Sequence, residues 1–230
     1  MNNVLLIDIE TSPKLAYVWD MWKQNINQDM LLDRGYLMTA SWTMLGSNKI
    51  YSQRCKLNKD LTIDDYDLTV ELLELLDRSN YVIAHNGKKF DIPFIKARAL
   101  VHGLTPPSPF KVIDTLEIAR KEFLFTRNTL ENLAQELKLP DKKLSHSKYS
   151  GAKLWVECLK GNEDAWQEML TYNQMDVKVL KEVYLKLRPW DSKSFNIASE
   201  VSENISDFMC PKCGSTHIQL RGYYFTNSGK

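Results

Sequence analysis

The sequence predicts an α/β fold, a mixed five-stranded sheet flanked by helices. Two observations predict it: short runs of β-forming residues alternate with longer segments whose leucines recur at helical spacing, and turns containing Gly or Pro separate them. The chain has 230 residues, of which 43% are hydrophobic. It can therefore bury a full core in one sizeable domain and still carry an appendage.

Five segments are predicted strands: 4–9, 36–45, 49–53, 81–84 and 111–114. The first is a continuous apolar run, which is typical of a central strand buried on both faces. The second and third are rich in β-formers and are separated by Gly46-Ser47-Asn48, a pattern that predicts a hairpin.

Helices are predicted chiefly at 68–76, 93–102, 128–137 and 163–187. Gly103 ends the second helix, and Asn128 is the predicted N-cap of the third, with Glu131 three residues on as in a capping box. From residue 189 onward Ser, Asn, Asp and Glu predominate. We expect a domain over residues 1–188, a linker over 189–208 and a C-terminal segment over 209–230.

Composition argues against a membrane-spanning protein and against a secreted protein held by disulfides. No apolar run approaches the roughly 18 residues of a membrane span, and no basic region precedes a signal-like stretch at the N-terminus. Four cysteines are too few and too unevenly spread for a disulfide framework in a chain of this length, which favours a reducing compartment. The sequence thus predicts a soluble cytoplasmic protein with no membrane contact, and it leaves protein partners open.

The formal net charge is +1, so any contact with a polyanion must come from local patches. The densest basic stretch has Tyr149 and Trp155 interleaved with its basic residues. These basic residues are Lys138, Lys142, Lys143, His146, Lys148 and Lys153. Composition alone favours a solvated loop between helices. A role in binding phosphates requires that the stretch flank an acidic metal centre.

Two carboxylates end the apolar central strand, in the string Ile7-Asp8-Ile9-Glu10-Thr11. Because Asp8 and Glu10 are two apart on a strand, their side chains leave the same face. A lone Asp-x-Glu is weak evidence, but α/β sheets bind ligands at the carboxyl ends of their strands. Gathered carboxylates are costly to desolvate unless a cation compensates them, which favours hard divalent metals.

Two further strings carry acids. In His85-Asn86-Gly87-Lys88-Lys89-Phe90-Asp91, the last residue precedes an apolar periodic run and is a predicted N-cap, a role compatible with metal binding. Asn86 also fits a turn residue, and His85 fits a satisfied strand-end histidine. Tyr172 and Asp176 are four apart on the long predicted helix and therefore lie on one face.

Together the three strings resemble the motifs of the DEDD superfamily of 3′-5′ exonucleases, which have a ribonuclease H-like fold. The chain is most similar to the exonuclease domain of family B DNA polymerases and its stand-alone viral and prokaryotic relatives. The first motif lies at 7–11, Asn-x₃-Phe-Asp at 86–91 and Tyr-x₃-Asp at 172–176. The other branch has a histidine five residues before the last acid, where this chain has Thr171, so the tyrosine branch is indicated. The resemblance covers roughly residues 1–188.

The resemblance implies a two-metal site for phosphodiester hydrolysis. Two Mg²⁺ or Mn²⁺ ions would be held by Asp8, Glu10, Asp91 and Asp176, and Tyr172 would orient the attacking water. Contacts with the substrate are assigned to Thr11, Asn86 and Lys88. The expected substrate is nucleic acid, with DNA favoured over RNA and single strands preferred. The expected location is the cytoplasm, and the expected origin of the protein is bacterial or viral.

Other functions stay open at this stage. An RNA-processing 3′-5′ exonuclease would use the same site, and a structure-specific endonuclease would need an open cleft near Trp19, Trp22 and the basic stretch. A non-catalytic nucleic-acid-binding adaptor is disfavoured because all four carboxylates are present.

Asp114 ends the fifth predicted strand and has two interpretations. It is either a carboxylate that supports the metal ligands or the N-cap of the following helix. We favour the cap.

The C-terminal segment contains Cys210 and Cys213, a Cys-x₂-Cys pair followed by Gly214 that is typical of a zinc knuckle. A structural zinc takes four ligands, and after Cys213 only His217 could add one before the sequence stops. We expect a partial zinc ribbon, either degenerate or truncated from a longer protein. The alternative is a flexible tail with two free thiols.

Overall fold

The computed structural model describes residues 4–33, 35–140, 148–149, 151–191, 217 and 219. Its main sheet has five strands: β1 (Val4–Thr11), β2 (Leu37–Met44), β3 (Tyr51–Arg54), β4 (Tyr81–Ala84) and β5 (Lys111–Asp114). The spatial order is β3-β2-β1-β4-β5. Strand β2 runs antiparallel to β1 and β3, whereas β4 runs parallel to β1 and β5. The predicted mixed sheet, with the apolar first strand at its centre, is confirmed.

Six helices flank this sheet within the described residues: α1 (Tyr66–Asp77), α2 (Asp91–Val101), α3 (Thr115–Glu122), α4 (Leu130–Glu136), α5 (Lys153–Leu159) and α6 (Glu163–Leu187). Gly103 follows α2 with φ +69°, a conformation that glycine adopts without strain, and the predicted end of this helix is confirmed. The 25-residue helix α6 has the bounds that its apolar periodicity predicts.

The predicted cap of α4 is wrong by one residue. Thr129, not Asn128, is the N-cap, and its hydroxyl accepts a hydrogen bond from the backbone N–H of Asn132. The carbonyl of Asn128 instead accepts a hydrogen bond from the ring of His85. The side-chain oxygen Oδ1 of Asn128, which would act as the cap, is buried and has no hydrogen-bond partner among the described residues.

Alternate residues of β1 enter two different layers of the core. Leu5 and Ile7 pack in a cluster with residues of α1 and α2, whereas Val4 and Leu6 pack in a cluster with the C-terminal half of α6. Continuing the alternation along the strand places Asp8 on the second face. The apolar α6 side of the sheet thus becomes acidic toward the carboxyl end of β1.

A buried ionic network fixes α2 against the sheet. The carboxylate of Asp65 accepts hydrogen bonds from Arg98 Nε at 2.7 Å and Nη2 at 2.8 Å, and from the backbone N–H of Leu37 at 2.9 Å. His102 Nε2 lies 2.7 Å from the same carboxylate. Because Arg98 belongs to α2 and Leu37 begins β2, the network joins α2 to the strand that pairs with β1.

Two short antiparallel strand pairs lie outside the main sheet, and the sequence patterns did not predict them. Leu15–Ala16 pairs with Leu31–Asp33, and Lys56–Leu57 pairs with Ile63–Asp64. Single turns of 3₁₀ helix occupy Gln28–Met30 and Arg188–Trp190. In the described part of the chain, none of the helices is long and apolar enough to cross a membrane.

Candidate metal centre

Three of the four predicted metal ligands converge at the carboxyl end of β1. Asp8, Glu10 and Asp176 each offer one carboxylate oxygen, and these three oxygens lie within 4.8 Å of one another. All three side chains are partly buried. Asp8 and Glu10 come from the α6 side of β1, and Asp176 comes from α6 itself, so two elements that are distant in sequence build one acidic group.

Asp91 lies beside this group but is not one of the three mutually close ligands found among the described residues. It is the first residue of α2 and only 3% exposed, and its Oδ1 accepts a hydrogen bond from the backbone N–H of Ile9 at 3.3 Å. The N-cap of α2 is Phe90, so the predicted N-cap role of Asp91 is wrong. Its carboxylate accepts hydrogen bonds from the backbone N–H of Ile9 in β1 and from its own backbone N–H.

Burial and mutual repulsion disfavour the charged forms of the carboxylates in this centre. Burial raises the pKa of Asp8 well above its ordinary value, and the neighbouring carboxylates of Asp91, Glu10 and Asp176 raise it further. Burial likewise raises the pKa of Asp91 to about 7. An all-oxygen, multiply anionic donor set of this kind fits Mg²⁺ or Mn²⁺, because a hard divalent cation offsets the repulsion that raises these pKa values.

The amide of Asn173 holds Asp8 in place, and the sequence analysis did not identify it. Asn173 lies on α6, fully buried, and its Nδ2 donates to Asp8 Oδ2 at 2.6 Å and to the Asp8 carbonyl oxygen at 3.2 Å. The hydrogen bond to the carboxylate lowers the pKa of Asp8, against the larger opposing effects of burial and like charge. Its Oδ1 has no hydrogen-bond partner among the described residues.

Tyr172 joins the same group from α6. Its hydroxyl is hydrogen-bonded to the carboxylate of Asp176, and its ring meets Trp155 of α5 edge-on, with the ring centroids 6.3 Å apart. Burial raises the pKa of Tyr172, and the charges of Asp176, Glu10 and Asp8 raise it further. The phenol is therefore neutral at physiological pH and acts as a hydrogen-bonding group.

The loop from β4 to α2 is fixed by Asp114. Its Oδ1 accepts hydrogen bonds from the backbone N–H groups of Asn86, Leu116 and Glu117, and its Oδ2 accepts one from that of Lys88. The predicted N-cap role of Asp114 is thus confirmed, and the same carboxylate also holds the turn that leads to Asp91.

The turn itself depends on two special residues. Asn86 has φ +65°, a left-handed conformation that Asn tolerates better than most residues. At Gly87 an added Cβ would lie 2.3 Å from the Cβ of Ala84, so only glycine fits. His85 completes the turn: its Nε2 donates to the Asn128 carbonyl and its Nδ1 accepts from the Thr115 hydroxyl. The interpretation of His85 as a satisfied strand-end histidine is confirmed, and burial lowers its pKa.

The three predicted substrate residues lie at the end of β1 or in the turn before α2. Thr11 is the last residue of β1, directly after Glu10, and Asn86 is in the turn before α2. The ammonium of Lys88 forms an exposed ion pair with Glu117, 2.5 Å apart. The structure does not test their contacts with a substrate.

The basic stretch is described only in part. Lys148 pairs with Asp164 in the first turn of α6, and Lys153 begins α5, whereas Lys142, Lys143 and His146 lie outside the described residues. Its aromatic member Trp155 contacts Tyr172, so α5 flanks the acidic group. The predicted zinc ligands Cys210 and Cys213 also lie outside the described residues.

Comparison with known proteins decides the family. A family model of the RNase H superfamily matches residues 36–188 of the sequence. The chain belongs to the RNase H superfamily. Its fold is similar to that of 127 chains of solved structures. One is the family B DNA polymerase of the hyperthermophilic archaeon Pyrobaculum calidifontis, with a TM-score of 0.55 and 13% sequence identity, and the match covers 82% of this chain and 26% of the polymerase chain. No curated protein sequence matches the chain significantly.

Membership of the RNase H superfamily confirms the predicted fold and supports a nuclease. Nucleases of this fold act on nucleic acids and use divalent metals, and the group formed by Asp8, Glu10 and Asp176 is a candidate site for such ions. The match begins at residue 36, so β1 and its two carboxylates precede the matched region, and their place in the site rests on the structure.

Proposed function

We propose that the protein is a metal-dependent 3′-5′ exonuclease that hydrolyses the phosphodiester bonds of DNA, with single strands preferred. The observation that carries the proposal is the convergence of Asp8, Glu10 and Asp176 within 4.8 Å, with the Tyr172 hydroxyl hydrogen-bonded to Asp176. The direction of hydrolysis rests on the tyrosine-type motifs, and the preference for DNA rests on the resemblance to the exonuclease domain of family B DNA polymerases.

The carboxylates would hold two Mg²⁺ or Mn²⁺ ions, with Asp8, Glu10 and Asp176 as the inner group and Asp91 completing the set. When bound, such ions activate a water molecule and stabilise the charge that develops on the leaving oxygen. Asn173 keeps the Asp8 carboxylate aimed into the group. The neutral hydroxyl of Tyr172 orients the attacking water by hydrogen bonding, and it does not act as the base because its pKa is raised.

The remaining residues of the site position the scissile phosphate. Asn86 and Thr11 would contact the substrate strand, and Lys88, which forms an exposed ion pair with Glu117, would exchange that partner for the phosphate backbone. We assign catalysis to a domain over residues 1–188, since α6 ends at Leu187. Residues 189–208 form a linker in this proposal, and residues 209–230 form a partial zinc ribbon held by Cys210 and Cys213.

Carboxylate variants test the proposal on 5′-labelled single-stranded DNA with Mg²⁺ or Mn²⁺. Asp8→Asn and Asp176→Asn should each abolish hydrolysis, because each removes a negative charge from the metal site. Neither should unfold the protein, because each also relieves repulsion inside a crowded anionic group. Asp164→Asn is the matched control: it removes a carboxylate from the same helix, but from an exposed ion pair with Lys148, and should leave the rate unchanged.

Two results would overturn the assignment. Hydrolysis at the wild-type rate by either site variant would show that the acidic group does not hold the catalytic metals. Degradation of RNA of the same sequence at a greater rate than DNA would assign the protein to RNA processing.

A further inference from the structure

An arm of the chain, residues 15–33, leaves the main sheet directly after the strand that carries Asp8 and Glu10. Its two sides pair as Leu15–Ala16 with Leu31–Asp33, and the backbone N–H of Tyr17 donates to the carbonyl of Met30 at 2.9 Å. We call it the aromatic arm. It is a hairpin-like segment that follows the carboxyl end of β1, where the candidate metal centre lies.

The base of the aromatic arm is tied to the main sheet. The Ser12 backbone N–H donates to the Tyr36 carbonyl at 2.8 Å, and the Tyr36 N–H donates to the Ser12 hydroxyl at 2.8 Å. The Tyr36 ring in turn lies under the Arg98 guanidinium, 4.8 Å from the ring centroid. The start of the arm is thus held near the carboxyl end of β1, and the Cα of Lys14 can be no more than ~14 Å from that of Glu10.

The tip of the arm exposes large apolar side chains. Trp19 is 93% exposed, Met21 86% and Trp22 79%, and Tyr17 is exposed as well. Single exposed apolar residues are ordinary, but a group of this size within six residues marks a binding surface. Three of these four side chains are aromatic and present π faces to solvent, which suits stacking on flat rings.

The position and the aromatic side chains of the arm, and not its charge, favour a nucleic acid as the occupant. Lys23 is the one cation of residues 15–33, against Asp20, Asp29 and Asp33, so the arm carries a net charge of −2. The whole chain carries only +1, so long-range attraction of phosphates is weak, and the metal centre without its ions repels them. Affinity for a polymer must then come largely from contacts with its bases, and aromatic side chains stack on bases without regard to sequence.

We infer that the aromatic arm binds the unpaired bases of a single-stranded nucleic acid, with Trp19 and Trp22 as stacking platforms, and guides the strand toward the acidic group. This inference rests on the proposed function and deepens it. Unstacked bases are available in single strands and not inside a duplex, so the arm would make the protein selective for single strands.

The test measures binding in EDTA, where no hydrolysis occurs, by the fluorescence anisotropy of a labelled 16-nucleotide oligothymidylate. Trp19→Ala/Trp22→Ala should raise the Kd at least tenfold. Trp19→Phe/Trp22→Phe should stay within threefold of wild type, because phenylalanine still stacks, whereas Trp19→Leu/Trp22→Leu should bind as weakly as the Ala double variant. Trp190→Ala is the matched control: Trp190 is an exposed tryptophan beyond the far end of α6, and its loss should leave the Kd unchanged.

An abasic oligonucleotide of the same length tests stacking directly. Wild type should bind it at least tenfold more weakly than oligothymidylate, and the Ala double variant should scarcely distinguish the two. Equal binding of both oligonucleotides by wild type, or unchanged binding by the Ala double variant, would overturn the inference. So would a wild-type dimer that becomes monomeric in the Ala double variant while its Kd for DNA is unchanged, because the arm would then be a surface between two copies of the chain.

A small substrate separates this inference from the proposed function. The p-nitrophenyl ester of thymidine 5′-monophosphate has a single base beside the reacting phosphate and no further nucleotides for the arm to bind, so the Ala double variant should hydrolyse it at the wild-type rate while Asp8→Asn should not hydrolyse it. If Asp8→Asn keeps its activity but the Trp variants lose binding, the proposed metal site is wrong and the inference about the arm holds. If Asp8→Asn loses its activity but the Trp variants bind as wild type does, the inference about the arm is wrong and the proposed metal site holds.

Discussion

Asn173 offers the sharpest test of how the acidic group is held together. Its side-chain amide donates two hydrogen bonds to Asp8, one of them to the carboxylate at 2.6 Å. Replacing it with leucine, which has a similar size, removes both donors without opening a cavity. The Asp8 carboxylate then loses the contact that favours its charged, metal-binding form, while burial and neighbouring charges continue to oppose that form.

The expected effect on metal binding is large. A buried hydrogen bond to a charged group contributes about 1.5–3 kcal/mol. Loss of a residue that orients a metal ligand typically weakens metal affinity about 10–100-fold. We therefore predict that Asn173→Leu raises the Mg²⁺ or Mn²⁺ concentration for half-maximal hydrolysis by about 10–100-fold, with partial recovery of the rate at saturating metal.

Although Asn173→Leu should bind the metal more weakly, it should not lower the free energy of unfolding. In the wild type the Asn173 Oδ1 is buried with no partner among the described residues, and such an atom costs about 1–3 kcal/mol. Leucine removes it, and this gain offsets the loss of the hydrogen bonds to Asp8, so the urea midpoint of the metal-free variant should not fall below that of wild type. Gln174→Leu is the control, because the adjacent amide donates to Ser52 and not to a carboxylate. An Asn173→Leu variant with wild-type metal dependence, or one that unfolds more readily, would refute this account.

Three further predictions concern the scaffold and the charges. Gly87→Ala should destabilise the protein by about 1–3 kcal/mol in urea denaturation, because its Cβ would meet that of Ala84 at 2.3 Å; an unchanged midpoint would show that the turn yields. Asp65→Ala should cost about 3–5 kcal/mol, equally with and without Mg²⁺, since it leaves the Arg98 guanidinium buried and unpaired; a loss smaller than 1 kcal/mol would contradict this. In EDTA the free energy of unfolding should fall as the pH rises from about 4 to about 7 and then level off, because the pKa of Asp91 is raised to about 7 and the folded carboxyl keeps a proton that the unfolded chain releases near pH 4; Mg²⁺ should remove the decline, and a metal-free protein that gains stability over this range would contradict it.

Much of the fold follows from local patterns. The bounds of β4, β5 and α6 are those that apolar periodicity and turn residues predict, because these elements are long or sharply bounded. Patterns of this kind did not predict the strand pairs of the arm and of residues 56–64, since two- and three-residue strands carry no periodicity.

The site residues likewise include some that short sequence motifs predict and one that they do not. Asp8, Glu10 and Asp176 could be predicted because each falls within a short motif of recognisable spacing, and the structure brings these three together. Asn173 could not, since a single amide on a helix has no local signature and its partner lies 165 residues away.

The roles of Asp91 and Asn128 were assigned from local capping preferences. The Asp91 carboxylate accepts a hydrogen bond from the distant Ile9, and the hydroxyl of the neighbouring Thr129 caps α4 in place of Asn128. Preferences for helix caps report local energetics only, and a tertiary hydrogen bond of similar strength is enough to override them.

Polarity of hydrolysis on linear and circular single-stranded DNA with Mg²⁺ tests the central claim most directly. A 5′-labelled linear strand should give a ladder of labelled products that shorten one nucleotide at a time, and a 3′-labelled strand should release labelled mononucleotide at once. A circular strand of the same sequence should stay intact, and Asp176→Asn should give none of these products. Cleavage of the circle, or release of mononucleotide from the 5′ end first, would contradict the assignment of the acidic group to a 3′-5′ exonuclease.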